Sequence, residues 1–216
     1  MLLRLLFQEP LLFVAIAVPL LYSIILHELA HALCASWFGD NTAKERGRIT
    51  LNPINHLDPI GTVLLLGFGF GWAKPVPINT ANLRPKKAGI ICCSLAGVAA
   101  NLLIAFTCYV VLQILIKKSL NDTILFHSLL ITGDINIILA AFNILPIPPL
   151  DGSRVLGVVL PKRFQIILYS IEKFGIILLM ALLYFRLLDP IIAFIRTKIL
   201  IFIIILSKLI TSLFAG

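Results

Sequence analysis

Long apolar runs alternate with short polar segments along most of the chain. Several of these runs exceed the ~18 residues that a helix needs to cross a bilayer. The pattern therefore predicts an all-α polytopic membrane protein with about five transmembrane helices. The predicted spans are residues 11–38, 88–116, 124–145, 164–185 and 190–213.

The connection between the first two spans, residues 39–87, contains an apolar segment that is too short to cross. Residues 60–72 predict a re-entrant or β element between these spans. Within it, residues 67–72 alternate glycine with aromatic residues, as in a strand whose glycines let another backbone approach. A glycine-rich packing loop explains the same alternation equally well. Residues 47–51 also have the character of a short strand.

Composition supports a membrane protein. Of the 216 residues, 60% are hydrophobic and 13% are charged, whereas roughly a quarter of the residues in a soluble domain are charged. We expect one membrane-embedded domain over residues 1–216, with a core at 10–160 and C-terminal helices at 164–213. The apolar N-terminal run continues without a cleavage site, so we expect it to be retained.

The distribution of charge predicts which partners the protein contacts and how it is oriented in the membrane. The net charge is +8, but the basic residues are spread over short loops, so we expect contact with a lipid bilayer and not with nucleic acid. The connection 39–87 carries seven Lys and Arg residues and the N-terminal tail carries one, which predicts that this connection lies in the cytoplasm. Lys117 and Lys118 fall on the opposite side and oppose this assignment.

The first span carries His27-Glu28-Leu29-Ala30-His31. Two histidines four residues apart lie on the same face of a helix and can bind one zinc ion, and the glutamate between them can act as general base. Ionisable residues are disfavoured inside spans, so they usually mark a site there. A hydrolytic zinc site in a span predicts a substrate that also lies in the membrane.

A catalytic zinc site normally has three protein ligands. Asp151 follows the third predicted span, and the parity of the spans places it on the same side of the membrane as His31. Asp134 is a rival, but it lies in the middle of that span or nearer its opposite end. We therefore expect Asp151 to join His27 and His31 as the third ligand.

Two motifs together resemble those of the site-2 protease family of intramembrane metalloproteases. They are residues 27–31 and the segment NILPIPPLDG at residues 143–152. Residues 47–53 and 72–77 are similar to the compact bacterial and archaeal members of that family. The resemblance covers residues 10–160.

The resemblance implies a zinc endopeptidase that cleaves transmembrane segments of membrane proteins near the cytoplasmic face of a prokaryotic cell membrane. It implies one zinc ion per chain, held by His27, His31 and Asp151, with Glu28 as general base toward a water activated by zinc. Asn143 matches the family asparagine that holds substrate or oxyanion. A hydrogen bond between helices would explain Asn143 as well.

The sequence leaves two alternatives to a protease open. A membrane metal transporter also places histidine and carboxylate groups inside spans, but it should have them at several depths, whereas this chain has one cluster. A catalytically silent adaptor is disfavoured because Glu28 and all three ligands are present. Val98 stands where the family often has proline, and Asn101 and His56 could serve the site or ordinary packing. No PDZ or other regulatory domain is expected.

Overall fold

The computed structural model describes residues 2–68 and 71–213. Among these residues, four helices are long and apolar enough to cross a membrane. This confirms the predicted all-α polytopic class. In chain order the helices are α1 (Leu2–Gln8), α2 (Pro10–Trp37), α3 (Thr42–Glu45), α4 (Pro59–Phe68), α5 (Lys86–Lys117), α6 (Ile124–Asn143), α7 (Asp151–Val159), α8 (Lys162–Glu172), α9 (Gly175–Tyr184) and α10 (Asp189–Leu213).

Helix α5 is the centre of the bundle and contacts α2, α6, α7 and α10. Small side chains bring α2 and α5 close together, among them Ala35 and Cys93, which share one buried cluster. Close packing of small residues is a main source of helix association in a membrane, because apolar side chains gain little free energy by moving from lipid into the protein interior. The tight α2–α5 contact is the surface on which the site is built.

The short apolar segment after the first span forms α4, a helix of 10 residues. At 1.5 Å per residue it is about 15 Å long, too short for a ~30 Å hydrocarbon core. Pro59 begins the helix, and the Asp58 carboxylate accepts the Gly61 N–H at 2.8 Å. This cap favours a helix. The strand predicted from residue 67 onwards is therefore wrong at residues 67 and 68, which belong to α4. Gly69 and Phe70 lie outside the described residues.

The strand predicted at residues 47–51 is also not formed, because no described neighbouring segment pairs with its backbone. The glycines do allow another backbone segment to approach closely, but without forming a strand. The chain after α4 crosses the start of that helix, and a Cβ atom on Gly71 or Gly61 would collide with the opposite backbone. An isolated antiparallel bridge joins Leu57 and Ala73.

Contacts at both ends of α10 fix its direction. Lys117 Nζ donates to Thr211 O at 2.7 Å, so α10 ends where α5 ends. Leu188, just before α10, packs with Leu145 and Leu150, just after α6. Helix α10 therefore starts at the end of the bundle where α6 finishes and runs antiparallel to α6.

The fourth predicted span, residues 164–185, is divided into two helices. Helices α8 and α9 meet at an angle of 75°, where Glu172 and Lys173 interrupt the apolar run. Helix α7 begins at the same end of the bundle as α10. Helix α9 packs against Leu145 and Leu150 at this end, and a Cβ atom on Gly175, at the bend, would meet Pro148 O there. We therefore expect α8–α9 to enter and leave the membrane on one side, as a re-entrant element does.

Cysteine labelling tests this path. In a chain whose four native cysteines are replaced, we expect Lys162→Cys and Arg186→Cys to react with a membrane-impermeant maleimide from one side of sealed vesicles. Lys118→Cys should react from the opposite side. All three native side chains are exposed. Labelling of positions 162 and 186 from opposite sides would show that α8–α9 crosses the membrane.

Asp134, the rival metal ligand, lies away from the histidines. Its carboxylate accepts the Tyr109 hydroxyl at 2.7 Å and pairs with the Arg196 guanidinium at 3.2 Å. These three residues join α5, α6 and α10. An ion pair is the usual partner arrangement for a charge inside a span, so Asp134 has a structural role here.

Candidate active site

Three side chains predicted as metal ligands meet at one point. His27 and His31 lie on one face of α2, and Asp151 is the first residue of α7. The two Nε2 atoms are 3.0 Å apart. Asp151 Oδ2 lies 3.1 Å from Nε2 of His27 and 3.2 Å from Nε2 of His31. All three residues are buried.

The remaining ring nitrogens show how the imidazoles are oriented. Nδ1 of His31 lies 2.6 Å from the carbonyl oxygen of Cys93, which can only accept, so Nδ1 donates. Nδ1 of His27 lies 2.6 Å from Oδ1 of Asn101. In neutral imidazoles both Nε2 atoms then carry lone pairs that face the Asp151 carboxylate. Such an arrangement is repulsive unless a cation lies among the three atoms.

The spacing fits zinc. Nitrogen and oxygen ligands at ~2.0–2.1 Å from a tetrahedral zinc ion lie about 3.3–3.4 Å from one another. The three ligand atoms here are 3.0–3.2 Å apart. Two imidazoles and one carboxylate form a typical catalytic set, which keeps a fourth position open.

Asp151 stands in the first turn of α7, where the helix dipole favours a negative charge. This position favours the ionised form that a cation requires.

Gly97 makes room for the two imidazoles. A Cβ atom at this position of α5 would lie 2.5 Å from Cε1 and Nε2 of His27 and 2.5 Å from Nε2 of His31. No side chain larger than hydrogen fits there without moving the rings. The sequence shows Gly97 only as a small residue in a span, and its role depends on which face of α5 meets α2.

Glu28 lies beside the ligands, in the wall of a cavity of about 350 Å³. Its Oε2 accepts the backbone N–H of Val76 at 2.8 Å. This contact links α2 to the extended segment at residues 71–78, which borders the same cavity. In the described part of the chain, the Oε1 atom of Glu28 has no hydrogen-bond partner.

The rest of the cavity wall is largely apolar and comes mainly from α2, α6, α9 and the segment at residues 71–78. Its side chains include Ile24, Trp72, Leu139, Phe142, Ile176, Leu179, Met180 and Leu183. Asn143 and Arg154 are polar members of the wall. Asn143 Nδ2 donates to Leu139 O at 3.0 Å, within α6. Within the described part of the chain, the Asn143 side chain forms no hydrogen bond to another helix.

Asp40 holds the segment that leads away from the cavity, a role that the sequence did not reveal. Its Oδ2 accepts the Asn79 N–H at 2.6 Å, and its Oδ1 accepts from Asn82 Nδ2 at 3.0 Å and from Thr42. Burial opposes ionisation, but these hydrogen bonds outweigh it and lower the pKa of Asp40. The carboxylate thus fixes residues 79–82 to the end of α2.

The two residues left open by the sequence have different positions. His56 is buried in the loop after α3 and its Nε2 bonds to Thr50 O at 2.9 Å. It is not among the residues that border the cavity. Asn101 contacts a predicted ligand directly, through Nδ1 of His27.

A comparison with protein-family models matches residues 113–185 to the model described as "Peptidase family M50". The matched part contains Asp151 and Asn143 but not the two histidines. No solved structure matches the chain.

Named relatives extend the comparison to the rest of the chain. "Putative zinc metalloprotease YwhC" of Bacillus subtilis is 40% identical over 173 residues, which are 77% of this chain and 78% of the relative. "Putative zinc metalloprotease Rip2" of Mycolicibacterium smegmatis is 30% identical over 181 residues, 79% of this chain and 67% of the relative. A relative from Methanocaldococcus jannaschii with the same type of name, MJ0611, is 34% identical over 61% of this chain and 63% of its own length. With this identity across most of both chains and a ligand group suited to zinc, the chain belongs to peptidase family M50, the site-2 protease family of zinc metalloproteases.

Proposed function

We propose that this multi-pass membrane metalloprotease is an intramembrane endopeptidase that cleaves transmembrane segments of other membrane proteins. His27, His31 and Asp151 hold one zinc ion, and Glu28 is the general base. One observation carries the proposal. The three ligand atoms converge within 3.0–3.2 Å of one another beside an apolar cavity that also contains Glu28.

Zinc, when bound, supplies Lewis acidity, which polarises a carbonyl and lowers the pKa of water. The protein supplies the proton transfer. Because Val76 N–H holds Oε2 of Glu28 at 2.8 Å, Oε1 is the atom that takes a proton from the attacking water. The same atom then delivers that proton to the nitrogen of the leaving amine.

Asn143 binds the substrate backbone in this proposal. One N–H of its amide is engaged by Leu139 O. The second N–H and the carbonyl oxygen remain for a peptide that lies in the cavity. An unwound peptide needs such partners, because free backbone groups are costly in lipid.

The apolar wall supports a hydrophobic substrate. Residues from α9 and from the segment at 71–78 both form part of this wall. An apolar lining disfavours bulk water, and electrostatic interactions at a site are stronger where less water is present. A transmembrane segment offers side chains of matching polarity.

The site faces the cytoplasm of the cell membrane in this account. The histidines lie toward the end of α2 that leads into the connection 39–87, with its seven Lys and Arg residues. The whole chain, residues 1–216, acts as one membrane domain. A metal transporter is not favoured, because the relatives are named as proteases and the described residues contain one ligand cluster.

Comparison of membrane proteomes tests this function. Cells that express the chain should lose the intact form of one or more single-span proteins and gain cytosolic fragments that end inside the span. Cells with the Asp151→Ala variant at equal abundance should not. Fragments cut only in exposed loops, or no difference between the two cell types, would contradict an intramembrane endopeptidase.

A further inference from the structure

Three polar side chains lie behind His27, on the face of the imidazole away from the cavity. Ser23, Asn101 and Asn136 belong to α2, α5 and α6, and their relative exposures are 2%, 0% and 0%. Buried polar groups are costly unless their hydrogen bonds are satisfied. Here they bond to one another and form one continuous chain.

The direction of each hydrogen bond follows from its fixed end. Thr132 O is a backbone carbonyl and can only accept, so Asn136 uses Nδ2 toward it, at 2.8 Å. Nδ2 of Asn136 also donates to Ser23 Oγ at 2.8 Å. Oδ1 of Asn136 then accepts from Asn101 Nδ2 at 2.8 Å. This leaves Oδ1 of Asn101 to accept from His27 Nδ1, at 2.6 Å.

The polar chain begins and ends on α2, one helical turn apart. It runs from His27 through α5 and α6 back to Ser23. The second imidazole is held differently, since His31 Nδ1 bonds to the backbone oxygen of Cys93. A side chain therefore holds Nδ1 of His27, whereas a backbone oxygen holds Nδ1 of His31.

We propose that Asn136 is a positioning residue that sets the zinc affinity of the site through Asn101 and His27. By fixing the Asn101 amide, it keeps the proton of His27 on Nδ1 and the lone pair of Nε2 directed at the metal. In the described part of the chain, Asn136 forms no hydrogen bond to a predicted ligand, and it does not border the cavity. Partners of this kind typically change metal affinity by about 10–100-fold. This inference rests on the zinc site of the proposed function.

Zinc affinity, measured by competition with a fluorescent chelator on the full chain in detergent, tests the proposal. We expect Asn136→Leu, which is similar in size, to weaken zinc binding about 10-fold or more. Asn136→Asp should stay within about threefold of the wild type, because a carboxylic acid can accept from Asn101 and donate to Thr132 O. If Asn136→Leu does not fold, Asn136→Val provides the same comparison.

Tyr109→Phe is the matched control. It removes a hydrogen bond of 2.7 Å between α5 and α6 that has no link to His27, so zinc affinity should be unchanged. An Asn136→Leu variant with wild-type affinity would overturn the proposal, and so would equal losses in Asn136→Leu and Tyr109→Phe. Asp151→Ala distinguishes a failure of the proposed zinc site from a failure of the positioning role of Asn136. If it does not weaken binding, the proposed site itself fails; if only the Asn136 variants bind normally, the positioning role fails alone.

Discussion

Glu28→Gln is expected to lower the rate of peptide cleavage by about 10³-fold or more while zinc stays bound, within the range associated with general acid–base catalysis. Glutamine has the shape of glutamate, and its Oε1 can still accept the Val76 N–H that glutamate accepts at 2.8 Å. The side chain therefore keeps its place in the cavity wall. It loses the ability to take a proton from water and deliver it to the leaving amine.

The measurement is cleavage of a single-span substrate in proteoliposomes, together with the zinc content of the same preparation. Glu45→Gln is the matched control, because Glu45 is exposed on α3 and does not border the cavity. It should cleave at the wild-type rate. Wild-type cleavage by Glu28→Gln would remove Glu28 from the mechanism, and loss of zinc would indicate a role in the metal site instead.

Gly97→Ala is expected to remove both zinc binding and cleavage through a single methyl group. The added Cβ would lie 2.5 Å from ring atoms of His27 and His31. The rings cannot turn aside easily, because each Nδ1 atom is held at 2.6 Å by Asn101 or by Cys93 O. The helices or the ligands must shift, and a displacement of ~1 Å at a catalytic site can cost about 10²-fold in rate.

Gly157→Ala on α7 is the control for this substitution. Its Cβ would meet only Leu168 Cδ2, at 3.3 Å, and that side chain can move. We expect normal zinc content and cleavage for Gly157→Ala. Zinc content and the thermal unfolding midpoint should be measured for both variants. Full zinc binding by folded Gly97→Ala would contradict the close contact of α5 with the two imidazoles.

The convergence of His27, His31 and Asp151 could be predicted because the information that brings them together is local or topological. His27 and His31 are one helical turn apart, so a helix alone places them together. Asp151 is distant in sequence, but counting membrane crossings places it on the same side. The structure brings all three together.

The polar groups behind and around the site could not be predicted in the same way. Asn101 and Asn136 are 35 residues apart, on different helices, and meet only when both helices have the correct rotation. Hydropathy shows that a helix is apolar, but it does not show which face of the helix packs against which neighbouring helix. The anchor made by Asp40 depends likewise on a loop that folds back to it.

Two elements were predicted with the wrong local form, and in each case a competing local preference prevailed. Asp58 and Pro59 start a helix where the glycine and aromatic alternation favoured a strand. Glu172 and Lys173 divide the fourth apolar run, so α8 and α9 meet at a bend of 75°. Length and mean hydropathy do not register a break of this kind.

The central claim is that His27, His31 and Asp151 together hold one zinc ion. The most direct test is the zinc content per chain after purification in detergent, for the wild type, Asp151→Ala and Asp134→Asn. We predict about one zinc per wild-type chain, normal zinc in Asp134→Asn, and absent or sharply weakened zinc in Asp151→Ala. A folded wild type without zinc, or undiminished binding by Asp151→Ala, would contradict the account.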